Sequence, residues 1–69
     1  MEIGEKIKGY ITSIGVSQAY ISKKTGIAAA KLNLALHGKR KLTFREYEAI
    51  CCVLNVGCEK FLEPKAPIE

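Results

Sequence analysis

Apolar residues recur at helical spacing along the chain, and this periodicity restricts the fold more than any other feature of the sequence. Ile3, Ile7 and Ile11 show it in the first segment, where they fall on one face of a helix. No stretch alternates cleanly between apolar and polar residues, so the sequence predicts no strands. We therefore predict an all-α fold.

Cap and breaker residues divide the chain into five predicted helices. The clearest start is a capping box, in which the side chains of Thr43 and Glu46 accept hydrogen bonds from each other's backbone N–H groups. Ser17 is an expected N-cap, and Gly26 is an expected stop. The helices are predicted at about residues 3–14, 18–24, 28–37, 44–54 and 58–62.

The predicted core consists of the apolar stripes of these helices. The stripe residues are Ile3, Ile7, Tyr10, Ile11 and Ile14 in the first helix, Leu32, Ala35 and Leu36 in the third, and Phe44, Tyr47, Ile50, Cys51 and Leu54 in the fourth. Four residues are more apolar than is usual on a surface: Leu34, Leu36, Cys52 and Val53. They either form a partner surface or complete a small core.

The length of 69 residues allows a single domain, which we place at residues 1–64 with a short tail at 65–69. No apolar run approaches the roughly 20 residues of a membrane span, and the first residues lack the pattern of a signal peptide. The three cysteines lack metal-site spacing, which favours reduced thiols in a cytoplasmic protein. Because no acid pair or activated nucleophile is present, we expect no enzyme, cofactor or small-molecule ligand.

The charges are unevenly distributed along the chain. The net charge is +4, from 11 basic and 7 acidic residues. Residues 16–45 hold seven of the basic residues and no acid, whereas residues 46–69 hold two basic and five acidic residues. This pattern favours a polyanionic partner that faces the middle of the chain, although a solvated lysine-rich surface is the simpler alternative.

The short link around Gly26 is typical of a helix-turn-helix, at about residues 17–37. Residues 16–27 read Val-Ser-Gln-x-x-Ile-Ser-x-x-Thr-Gly-Ile, and Leu32, a Gly-Lys-Arg-Lys run at 38–41 and a Thr-capped helix follow. This combination resembles the Xre and phage-repressor (Cro/cI-type) helix-turn-helix family over nearly the whole chain. The resemblance implies a compact, lambda-repressor-like bundle of five helices that binds DNA.

The resemblance also implies contacts for particular residues. Those expected to face base edges, or to flank the residues that do, are Ala28, Ala29, Ala30, Asn33 and Leu34. Those expected at phosphates are Ser17, Gln18, Lys31, His37, Lys39, Arg40 and Lys41. Gln18 is expected in addition to brace the third helix.

Three alanines stand where this family usually has polar residues, at the start of the third helix. Alanine has no side-chain donor or acceptor, and at most its methyl group touches a thymine methyl. Asn33 is then the only uncharged polar side chain on the face that is expected to contact bases. We expect an affinity that is mainly electrostatic, with weak or shape-dependent readout of sequence.

We therefore predict a small transcriptional regulator, a repressor of bacterial or phage origin in the cytoplasm at the nucleoid, whose third helix enters the major groove of duplex DNA. A homodimer is expected because one short helix reads too few base pairs, and its half-sites would lie about 34 Å apart. The alternative is a protein-interaction module that keeps the helix-turn-helix fold but has lost base readout.

Overall fold

The computed structural model describes residues 3–62 and contains, in this part of the chain, helices and no strand. The all-α expectation is therefore confirmed. The elements are α1 (Ile3–Ile14), α2 (Gln18–Thr25), α3 (Ala29–Leu36), α4 (Phe44–Leu54) and a 3-10 turn (Cys58–Phe61). The fifth predicted helix is thus a single 3-10 turn. Residues 1–2 and 63–69, which include the predicted tail at 65–69, lie outside the described residues.

The predicted caps are present at the starts of two helices. The Ser17 side chain accepts a hydrogen bond from the backbone N–H of Tyr20 at 3.0 Å and caps α2. Thr43 and Glu46 form the complete capping box of α4. Ala28 precedes α3 and provides no side-chain cap. Local signals in the sequence therefore set where α2 and α4 begin.

The core lies where α1 and α4 pack against the α2–α3 pair. Helix α1 contacts α3, and α2 contacts both α3 and α4. The fully buried side chains at the centre are Ile7, Ile11, Ile21, Leu32, Leu36, Ile50 and Cys51. Burial raises the pKa of the Cys51 thiol, so this cysteine stays a neutral core residue.

Gly4 allows α1 to approach the backbone of α3 more closely than any side chain would permit. A Cβ atom at position 4 would lie 2.7 Å from the carbonyl carbon of Ala35 and closer still to its oxygen. Gly9 lies on the exposed side of the same helix, and a Cβ atom there would meet nothing within 4 Å. The two glycines of α1 therefore have opposite consequences for stability.

The 3-10 turn is held between α1 and α4 by aromatic contacts. The ring of Phe61 packs edge-on against Tyr10 at 5.5 Å and against Tyr47 at 6.4 Å between centroids. Burial raises the pKa of Tyr47 to about 12, so its hydroxyl remains protonated and donates to the backbone carbonyl of Cys58. The turn thereby closes the end of the core between these helices.

Two residues of the predicted apolar stripes are exposed, and three, Ile3, Tyr10 and Leu54, are partly buried against the core. Phe44 is 69% exposed and Ile14 is 47% exposed. Each is a terminal residue of its helix, where the helix extends past the packed layer. Phe44 instead lines a mostly apolar groove of about 390 Å³, together with Ile3 and Leu62.

The four residues that are unusually apolar for a surface, Leu34, Leu36, Cys52 and Val53, divide into two pairs. Leu36 is fully buried and Val53 is half-buried against the core, so these two complete the core. Leu34 and Cys52 are exposed. Of the four, only these last two are available to a partner.

Replacing Gly4 and Gly9 separately with alanine should change stability in opposite directions. Gly4→Ala should lower the free energy of unfolding by about 1–3 kcal/mol, because α1 and α3 must move apart. Gly9→Ala should raise it by about 1 kcal/mol, since alanine favours the helix. Urea denaturation of the two variants tests this, and the account of α1 is wrong if both changes have the same sign.

Candidate nucleic-acid interface

The link between α2 and α3 consists of residues 26–28 and is fixed by side-chain hydroxyl groups. Gly26 adopts the left-handed conformation (φ 80°, ψ 2°) that L side chains rarely take, and its N–H donates to the Ser22 carbonyl at 2.9 Å. The Ser22 hydroxyl donates to the carbonyl of Ile27 at 2.6 Å. The Thr25 hydroxyl donates to the Ile21 carbonyl and accepts from the N–H of Ile27.

Ile27 anchors this link in the core, since its side chain is buried. Every position from Ser22 to Ile27 other than the two lysines thus has a defined structural role. The direction in which α3 leaves the link is determined by these contacts and by the burial of Leu32 and Leu36. The opposite side of α3 faces solvent.

The solvent side of α3 carries most of the residues predicted to face bases. The exposed residues of this helix and its flanks are Ala28, Ala29, Ala30, Lys31, Asn33, Leu34 and His37. A shallow depression between α2 and α3 is lined by Gln18, Ala19, Ala29, Ala30, Asn33 and Leu34. The structure therefore brings the predicted base-facing residues 29, 30, 33 and 34 together with Gln18 on one surface.

A side-chain hydrogen bond joins the two helices across this depression. The amide Nδ2 of Asn33 donates to Oε1 of Gln18 at 3.3 Å. Both residues lie at the surface, so the bond orients their amide groups without burying them. One of the two amide hydrogens of Asn33 is consequently engaged within the protein.

His37 ends α3 with its ring turned back onto the helix. Its Nδ1 lies 2.8 Å from the carbonyl oxygen of Asn33. A carbonyl oxygen only accepts hydrogen bonds, so Nδ1 carries the hydrogen. The remaining nitrogen, Nε2, then donates to a phosphate only when the ring is doubly protonated.

The basic loop between α3 and α4 presents two lysines to solvent and ties its arginine to α4. Lys39 and Lys41 are exposed. The guanidinium group of Arg40 donates two hydrogen bonds of 3.1 Å to the carboxylate of Glu46, which accepts a third from the Thr43 backbone N–H. Arg40 therefore holds the loop against the start of α4, and two of its five N–H donors are engaged there.

Arg45 is a cation of this surface that the sequence reasoning counted but did not assign. It lines a cleft beside the α2–α3 link, together with Gly26, Ala28 and Lys31. The available signal was the capping box, which places Arg45 in the first turn of α4. Its position next to Lys31 comes from the packing of α4 on α2.

The basic residues of segment 16–45 lie on α2, on α3 and on the loop and helix that follow them. All of them except Arg40 are exposed. They are Lys23 and Lys24 in α2, Lys31 in α3, Lys39 and Lys41 in the loop, and Arg45 in α4. Lys24 packs its ammonium group 5.7 Å from the centre of the Tyr20 ring. Residues 16–45 contain no acid, and Glu46, which lines the cleft of Lys31 and Arg45, is paired with Arg40.

Comparison with known proteins identified no matching family model, no matching curated protein and no matching solved structure. Within residues 3–62, no helix has the length and apolar character needed to cross a membrane. In the same residues, no group of three or more histidine, cysteine or acidic side chains is arranged to hold a metal ion.

The ion pair at Glu46 predicts a pH-dependent contribution to stability. Hydrogen bonds from Arg40 and from the Thr43 N–H hold the pKa of Glu46 below its ordinary value of 4.5. The unfolded chain then binds this proton more readily, so the stabilisation is present above pH 4.5 and disappears as the pH falls through the lower native pKa.

Glu46→Gln should therefore lower the midpoint of thermal unfolding at pH 7 and have a smaller effect at pH 3. Glu48→Gln is the matched control, because Glu48 is exposed on the same helix and should change the midpoint little at either pH. Equal destabilisation by Glu46→Gln at both pH values would contradict the assigned ion pair.

Proposed function

We propose that the chain binds duplex DNA through α2 and α3, acting as a helix-turn-helix in the manner of the Xre and phage-repressor family. Helix α3 enters the major groove, and the surrounding cations contact the phosphates on either side. In this proposal the biological role is that of a small transcriptional regulator, a repressor of bacterial or phage origin.

The observation that carries the proposal is the combination of an exposed, uncharged helix face with a cationic rim. Ala29, Ala30 and Leu34 leave the outer side of α3 free of acidic groups. The cationic rim consists of exposed lysines and an arginine on α2, α3, α4 and the loop, of which Lys31 and Arg45 line one cleft at the start of α3. The major groove is wide enough to admit an α-helix, and cations on both sides suit the two phosphate backbones.

The hydrogen bonds of the site suggest distinct roles for its polar residues. Lys31, Lys39, Lys41 and Arg45 supply electrostatic contacts with phosphates. Arg40, paired with Glu46, positions the loop that carries the two lysines. Ser17 caps α2 through its hydroxyl group.

A dimer is part of the proposal, since α3 has only eight residues and reads few base pairs alone. Two copies on one face of the duplex would place their α3 helices about 34 Å apart. Sedimentation of the chain with and without an operator-length duplex tests this part separately from DNA binding itself.

Single lysine replacements test the proposed interface through the salt dependence of binding. In mobility-shift titrations between about 50 and 200 mM salt, each contacting cation contributes about −0.9 to the slope of log K against log salt. Lys39→Gln and Lys41→Gln should each make the slope less negative by about 0.9. A mixed-sequence duplex suffices, because this term does not depend on sequence.

Lys8→Gln is the control, because it removes the same charge from α1, outside residues 16–45. It should leave the slope unchanged. An equal change in all three variants would show a response to net charge alone and would contradict the interface. Absence of binding by the unmodified chain at low salt would overturn the DNA proposal in favour of a protein-interaction module.

A further inference from the structure

We propose that the exposed face of α3 recognises the C5-methyl groups of pyrimidines in the major groove, and that Leu34 is the principal specificity-determining residue. This inference rests on the proposed DNA-binding function and specifies the class of duplex that is bound. The favoured targets are duplexes whose thymines place their methyl groups beside Ala29, Ala30 and Leu34.

The chemistry of the α3 face leaves apolar contact as its main means of reading bases. Three of its exposed side chains end in methyl groups, those of Ala29, Ala30 and Leu34, and Leu34 is 44% exposed. They line one shallow depression together. None of them has a donor or an acceptor, so none can distinguish bases by hydrogen bonding.

The polar groups beside this face contribute little to the reading of sequence. Asn33 uses one amide hydrogen on Gln18, at 3.3 Å. A bidentate contact with adenine would use Oδ1 and the second amide hydrogen of Asn33, so this residue reads at most one base pair. Lys31 is a cation suited to phosphate, and a phosphate contact carries no sequence information.

Thymine is the base whose major-groove edge fits such a surface. It presents a C5-methyl group beside a single acceptor, whereas cytosine presents a donor and adenine and guanine present polar edges. The cationic rim supplies the complementary charge for the phosphates on either side. Duplex DNA with thymines in the contacted groove therefore matches this surface twice, because its phosphates suit the cations and its methyl groups suit the apolar side chains.

Replacing thymine by uracil tests the inference, because it removes the methyl group and keeps the base pair. The probe is a duplex enriched from random DNA by the full chain, remade with deoxyuridine at each thymine position in turn. Burial of one methyl-sized group corresponds to a factor of about four in affinity, so Kd should rise about fourfold at each contacted position. Returning thymine to that position should return Kd to its original value.

The variant Leu34→Ala assigns the effect to this face of α3. It keeps a strong helix former at an exposed position and shortens the largest apolar side chain of this face. The loss of affinity caused by uracil should be smaller in this variant than in the unmodified chain at one or more positions. Lys39→Gln, by contrast, should weaken binding to the thymine and uracil duplexes by the same factor.

The possible outcomes separate the two proposals. Binding that is equal for thymine and uracil duplexes overturns the methyl readout and leaves DNA binding intact. A uracil effect that is the same size in Leu34→Ala and in the unmodified chain overturns the assignment to this face. Absence of binding to every duplex at low salt overturns the proposed function itself.

Discussion

The fold depends on the three-residue link between α2 and α3, because this link fixes the direction of the exposed helix. Gly26 supplies the left-handed backbone, and the hydroxyl groups of Ser22 and Thr25 satisfy the carbonyl and N–H groups that the turn leaves open. Ile27 then anchors the link in the core. A polar group left without a partner here would cost about 1–3 kcal/mol, so the hydroxyl groups are part of what holds the turn.

The rest of the molecule holds α3 from behind while its outer face stays open. Gly4 brings α1 onto the backbone of α3 near Ala35, and Leu32 is fully buried beneath the helix. The pair formed by Arg40 and Glu46 fixes the loop that follows. With its inner side, start and end all constrained, α3 can present a defined surface although it has only eight residues.

Signals close together in sequence predicted much of this fold, and contacts between distant residues were not predicted. Ser17, Thr43 and Glu46 set helix starts through their immediate neighbours, so their patterns sufficed. The role of Gly4 depends on Ala35, 31 positions away, and the stripe pattern could not show that Phe44 lies past the packed layer. For the candidate site, the sequence located the cations, but the engagement of Arg40 with Glu46 required the three-dimensional arrangement. DNA binding itself stays a prediction.

The central claim is that the outer face of α3, with its cationic rim, meets the major groove of duplex DNA. The most direct measurement is an amide chemical-shift titration of the chain with a duplex at low salt. We predict that the largest shifts cluster at Gln18, at residues 29–34 and at the loop 39–41, with little change on the exposed side of α1 around Gly9. Shifts concentrated on that side of α1, or no shifts at all, would contradict this claim.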